Sequence, residues 1–249
     1  MREMLVTGIG PVSALGIGRA AWAARLRAGA RAPGAIEGFA LAEILPSMKT
    51  YTDRASAFTL AACQLALADA GLAPGAYDRW RAGIVVGSVY GCLPTLYTYT
   101  AALQHKGARF ANPLLFSHTY VNTPASLAAI EFGLGGHHGT FTGEHAGLQA
   151  LEAAREALAL DRADLLLAVG VDAISEPLTR AREALGADEP LGEGACALVL
   201  ETADYARARG AAGLPLPEPV QTASLRSLLG DTLAAEPFFA VAAALARNA

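Results

Sequence analysis

Apolar runs and amphipathic stretches alternate along the chain. Residues 2–9 (REMLVTGI) predict a buried strand, followed by a Gly/Pro/Ser loop to Gly18 and a helix over 19–28. Residues 31–52 read as irregular. The run 53–71 (DRASAFTLAACQLALADAG) predicts a strong amphipathic helix, with Asp53 near its start and Gly71 after its end. Residues 82–87 (AGIVVG) predict a short apolar strand, and 92–106 a helical stretch interrupted by Pro94. Within 112–134, the segment NPLLFSHTYVN precedes a helix running through SLAAIEFGL. A strand at 139–142, a helix at 145–160, buried strands at 164–171 (DLLLAVGV) and 195–200 (ACALVL), and a helix at 202–209 follow. This alternation predicts an α/β fold with helices packed on a central sheet. The stretch 210–220 (GAAGLPLPEPV) is crowded with Gly and Pro and reads as a linker. Residues 221–249 form a last unit that ends in an apolar helix.

Composition adds one expectation. Of the 249 residues, 53% are hydrophobic and only 17% charged, with mean hydropathy +0.33. No run of about 18 uncharged apolar residues is present, so no membrane span is expected. The N-terminus does not read as a signal segment. The excess apolar surface therefore points to a protein partner. A net charge of −4 without a basic run argues against nucleic acid. Cys63, Cys92 and Cys196 are far apart and odd in number, which suits buried thiols in a reducing compartment, so the cytoplasm is expected. His137 and His138 are adjacent and cannot chelate one ion from a strand; no metal and no cofactor are expected.

The stretch 140–151 (TFTGEHAGLQAL) carries the chemical question. A strand breaks at Gly143 and a helix opens, a geometry in which enzymes mount nucleophiles. Neither Ser nor Cys stands at the turn; Glu144 and His145 do.

Six segments resemble the β-ketoacyl synthase branch of the thiolase-like fold, in that family's order: VTGIGPVSALG, DRASAFTLAACQLALADAGL, GIVVGSVYGC, NPLLFSHTYVNTPASLAAIEFGLGG, ADLLLAVGVDAIS and GEGACALVLETADYARARGA. The resemblance implies a thiolase-like layered sandwich. Its N-terminal half would occupy residues 1–209 and be largely complete. The C-terminal half would be truncated to a remnant at 221–249 beyond the 210–220 linker. A synthase of this kind carries a Cys after the TFT-like strand, where helix-end potential stabilises a thiolate. Aligning on Gly147 puts Glu144 at that position, and a frame shifted by one puts His145 there. The family's HGT histidine segment has no counterpart. In TASLRSLLGDTLAAEP, Arg226 falls at the family's lysine position and Asp231 at its second histidine, with the five-residue spacing kept.

These replacements bear on the chemistry. Condensation requires a thiolate nucleophile. Decarboxylation of a malonyl thioester requires neutral donors around the developing enolate, and a single oxyanion donor is worth about 3–4 kcal/mol of barrier. The resemblance therefore implies no catalytic residue here and three degenerate positions, Glu144, Arg226 and Asp231. A Glu144–Arg226–Asp231 ion cluster is expected to fill the emptied site.

The resemblance is closest to a chain length factor of type II polyketide or aryl-polyene-like systems, whose family members carry Gln at the Cys position. It implies a heterodimer with a complete ketosynthase, with acyl carrier protein a candidate second partner. It also implies that Tyr90, Leu114, Leu115, Phe116 and Tyr120 border an acyl tunnel at the subunit interface, with Tyr90 and Phe116 setting its depth. With one sheet and a single last helix, one face should be poorly covered and the chain weakly stable alone. The alternative is a standalone decarboxylase or acyltransferase acting on malonyl- or acyl-carrier protein through Glu144 or His145.

Overall fold

A computed structural model describes residues 2–46, 51–217 and 223–247. Its strands are β1 (Met4–Ser13), β2 (Gly16–Ile17), β3 (Ala82–Ser88), β4 (His138–Thr142), β5 (Leu165–Asp172), β6 (Gly194–Thr202) and β7 (Leu214–Pro215). Its helices are α1 (Arg19–Arg27), α2 (Arg54–Asp69), α3 (Leu93–Lys106), the four-residue α4 (Pro113–Phe116), α5 (Thr123–Phe132), α6 (Ala146–Ala159), α7 (Glu176–Ala184), α8 (Ala203–Ala208), α9 (Ala223–Leu229) and α10 (Glu236–Arg247). They build one mixed sheet in the order β2-β1-β6-β5-β3-β4, with β7 also on β1. The pairs β3–β4 and β3–β5 are parallel, whereas β5–β6 and β6–β1 are antiparallel.

Strands β3, β5 and β6 are buried at every residue, which explains their continuous apolar sequences. Successive side chains of β5 feed opposite cores. Leu165, Leu167 and Val169 meet Phe58, Leu67 and Phe132 of α2 and α5, whereas Leu166 and Ala168 meet Leu151, Leu158, Phe238 and Phe239 of α6 and α10. The architecture is the one-sheet half of a thiolase-like layered sandwich.

Four features differ from the sequence expectation. The strand expected to stop at residue 9 continues to Ser13, paired with β6 on both sides of an irregularity at Thr7. The strand's glycines serve close packing: a Cβ at Gly8 would lie 2.2 Å from the Ala66 carbonyl oxygen of α2, and one at Gly10, in the expected loop, 2.0 Å from that of Ala62. Pro94 does not interrupt α3; it sits in the first turn, where a missing N–H costs nothing. Helix α7 was not anticipated, although Ser175 caps it by accepting from the Leu178 N–H and Pro177 follows. Within the expected linker, Leu214 and Pro215 pair with Val6 and Leu5 of β1. Its last residues, 218–220, and Lys49 lie outside the described residues.

The last helix is not left bare. Phe238, Phe239 and Val241 are fully buried, and Trp22 of α1 stacks on Phe239 with ring centroids 5.8 Å apart. The Ala32 N–H donates to the Leu228 carbonyl at 2.8 Å, so the chain after α1 folds over α9. Helix α6 turns Gln149, Glu152 and Glu156 to solvent. The poorly covered face expected from the truncated second half is therefore absent from the α6–α10 layer. Burying each phenylalanine contributes about 1.5–3 kcal/mol. Exposed apolar side chains gather elsewhere, around α3, α4 and α5, where Phe110, Leu114 and Ile130 are 65%, 74% and 77% exposed.

Candidate functional site

The carboxyl ends of the parallel strands β3, β4 and β5 meet here, the place where open α/β sheets bind ligands. Beyond β4, Gly143 takes φ +101°, a conformation that a side chain would strain. The Ala146 N–H donates to the Gly143 carbonyl at 3.0 Å, which closes a tight turn through Glu144 and His145 into α6. Both side chains are exposed. The backbone beneath them is tightly packed. A Cβ at Gly147 would meet the Ala234 carbonyl oxygen at 2.2 Å, and one at Gly170 would meet it at 2.3 Å. At Gly87 a Cβ would lie 2.3 Å from the Ala146 carbonyl oxygen. The start of α6, the ends of β3 and β5, and the 3-10 turn Leu233–Ala235 thus pack backbone to backbone.

Asp172, the last residue of β5, binds these pieces together. Its buried carboxylate accepts from the Ser88 hydroxyl at 2.9 Å and from the Val89, Tyr90 and Ala234 N–H groups at 3.0 Å each. Desolvation pushes the carboxyl up to about 6 even though these four donors favour its anion.

The expected Glu144–Arg226–Asp231 cluster does not form. Arg226 clasps Glu236, with Nε 2.9 Å from Oε1 and Nη2 2.8 Å from Oε2, and reaches Glu189 at 3.3 Å. Asp231 accepts from Arg182 at 3.1 Å and from the Leu233 N–H at 3.1 Å. Each degenerate C-terminal residue has a nearer partner in its own neighbourhood: the Glu236 carboxylate is buried at the start of α10, and Arg182 extends from α7. A buried carboxylate holds its charge only beside such a partner. Glu144 stays in water and needs none.

Of the expected tunnel residues, Tyr90 lies on the turn after β3 and is 40% exposed. Asn112 caps α4 by accepting from the Leu114 N–H at 3.0 Å, presenting Leu114 outward with Leu115 half-buried behind it. The Phe116 ring lies 5.7 Å from that of Tyr99 on α3 and 5.2 Å, edge-on, from that of Tyr120. The Tyr90 turn and this aromatic group adjoin at Gly91, where a Cβ would lie 3.0 Å from Val121.

All three thiols are buried, and desolvation pushes each well above the ordinary range. None lies at the α6 turn. The site thus offers an exposed carboxylate and imidazole, paired ions in the C-terminal turn, and no accessible sulfur. Sequence reasoning missed Asp172, Ser88, Arg182 and Glu236. For Asp172 a signal existed: an unbroken apolar strand ending on a carboxylate within GVDAIS.

Similarity to known proteins agrees with this geometry. The chain is 32% identical over 255 residues to a putative polyketide β-ketoacyl synthase 1 of Streptomyces halstedii, covering 84% of this chain and 60% of that protein. It is 29% identical over 259 residues to a 3-oxoacyl-[acyl-carrier-protein] synthase 2 of Rhizobium meliloti, covering 85% and 62%. The chain therefore spans about 60% of the length of these curated relatives. The ishigamide ketosynthase/chain length factor structure shares the fold, with TM-score 0.81 and 23% identity, over 98% of this chain and 90% of that one. Residues 39–190 match the β-ketoacyl synthase N-terminal domain, and the chain belongs to the β-ketoacyl synthase family.

Proposed function

We propose that this chain is a chain length factor, a non-catalytic ketosynthase-like subunit that pairs with a complete ketosynthase in type II polyketide synthesis of the aryl-polyene-like kind. The observation that carries this reading is the turn at Gly143. Its backbone is held in a tight frame, while Glu144 and His145, one of which falls at the family's cysteine position in either alignment, are exposed and carry no sulfur. At the second histidine position Asp231 is committed to Arg182 and offers no neutral donor to an enolate. The partner supplies the cysteine and the histidines, and this subunit supplies surface and shape.

Two features support the pairing. The sheet ends at β4, whose outer edge pairs with no described strand. Separately, α3 and α4 expose the aromatic group described above, and large exposed apolar patches mark protein interfaces. The nearly full-length correspondence with a chain from a ketosynthase/chain length factor structure agrees with the same role. In the pair, Tyr90, Leu114, Leu115, Phe116 and Tyr120 border the acyl tunnel, and an acyl chain stops growing when its methylenes meet Tyr90 and Phe116.

Co-expression with a complete ketosynthase, followed by size-exclusion chromatography, is expected to give a heterodimer. In that heterodimer Tyr90→Ala and Phe116→Ala are expected to lengthen the product. Unchanged products would reduce the subunit to an inert stabiliser of its partner. Incubation of this chain alone with malonyl- or acyl-carrier protein is expected to give neither a covalent adduct nor carbon dioxide; either would identify a standalone enzyme acting through Glu144 or His145.

A further inference from the structure

The Asp172 carboxylate joins two segments far apart in sequence. From one side it takes the Ser88 hydroxyl and the Val89 and Tyr90 N–H groups, and from the other the Ala234 N–H. Ser88 Oγ in turn accepts from the Gly91 N–H at 2.8 Å. The whole turn 88–91 is therefore anchored on one side chain, and Gly91 at φ +56° lies against Val121. The carbonyl of the same Ala234 residue, in the next peptide unit, fills the space left by Gly147 and Gly170, so the residue is held from both sides.

We propose that Asp172 is a positioning residue that sets the stance of Tyr90 and makes it depend on the docked C-terminal unit 223–247. This rests on the reading that Tyr90 bounds the acyl tunnel. Asp172 touches no substrate; it acts through the backbone of residues 89–90, which carries the Tyr90 ring into half-exposed surface. A displaced 233–235 turn would withdraw one of the four donors and leave a buried carboxylate oxygen under-satisfied, which loosens the Tyr90 turn at the same time. The depth of the tunnel is then set jointly by the loop after β3 and by a segment more than 140 residues later in the chain.

The test uses the full chain, alone and co-expressed with a ketosynthase. Amide hydrogen exchange is read for residues 88–91 and 233–235, and product length is read with malonyl-carrier protein as the extender. Asp172→Asn is expected to speed exchange at least tenfold in both segments together. It is also expected to shift product length in the direction given by Tyr90→Ala. Ser88→Ala, which removes one donor and is less disruptive to folding, is expected to do the same more weakly. Faster exchange in one segment only would overturn the coupling. So would wild-type product length in the Asp172→Asn heterodimer when Tyr90→Ala lengthens the product. If Tyr90→Ala changes nothing, the tunnel reading fails, and the paired exchange still decides whether Asp172 couples the two segments.

Discussion

Arg226 and Glu236 form a two-point ion pair across the start of α10: Nε and Nη2 of the guanidinium lie 2.9 and 2.8 Å from the two carboxylate oxygens, and the carboxylate side chain is only 6% exposed. Arg226 thus holds α9 to α10. Removing the arginine leaves a nearly buried carboxylate without its main partner, while the arginine itself is partly exposed and screened. Arg226→Met is expected to lower stability by about 1–3 kcal/mol in urea unfolding, and adding Glu236→Gln should recover part of that loss.

The elevated Asp172 carboxyl predicts a pH dependence. Burial favours its protonated form in the fold, so the native state holds this proton more tightly than the unfolded chain does. Its contribution to stability is greatest below about pH 4 and is lost as the pH rises through about 6. Urea midpoints measured between pH 4 and pH 7.5 should carry this falling component, and Asp172→Asn should remove it. The asparagine should also cost about 2 kcal/mol, because its NH2 group must face two of the present donors.

The fully buried Phe238 meets Gly170, whose absent Cβ leaves room for the ring: an added Cβ would lie 2.4 Å from Phe238 Cδ2. Phe238→Ala should therefore open a cavity that the close-packed backbone cannot collapse into, costing about 3–5 kcal/mol by thermal or chemical unfolding.

Restoring sulfur should not restore synthesis. Glu144→Cys places an exposed thiol at the N-terminus of α6, where the helix end favours the thiolate. Mass spectrometry after brief iodoacetamide treatment should show it alkylated well before the buried Cys63, Cys92 and Cys196. On the proposed reading, in which Asp231 stands where a neutral donor is needed, no condensation product should form from acyl- and malonyl-carrier protein.

The fold was readable where local pattern and packing agree. The apolar runs at 82–87, 164–171 and 195–200 are strands because both sheet faces are covered, and Asp53 caps α2 by accepting from the Ala55 N–H at 2.9 Å. Reading failed where a residue answers to something distant. Gly10 looks like a loop residue until α2 is seen against it. Leu214 and Pro215 look like linker until β1 supplies an edge. The site divides in the same way. A strand-to-helix turn carrying Glu144 and His145 but no Ser or Cys is visible from the TFT–Gly pattern alone. The partners of Arg226 and Asp231 are not, because Glu236, Glu189 and Arg182 carry no spacing that singles them out from the other charged residues.

The turn at Gly143 has one more consequence. Around it, Gly87, Gly147 and Gly170 have no freedom to vary, since any larger residue collides with main chain, whereas the side chain at 144 reaches only water. The scaffold is thus indifferent to the identity of residue 144. Exchanging that side chain should therefore leave the fold undisturbed, whatever it does to reactivity.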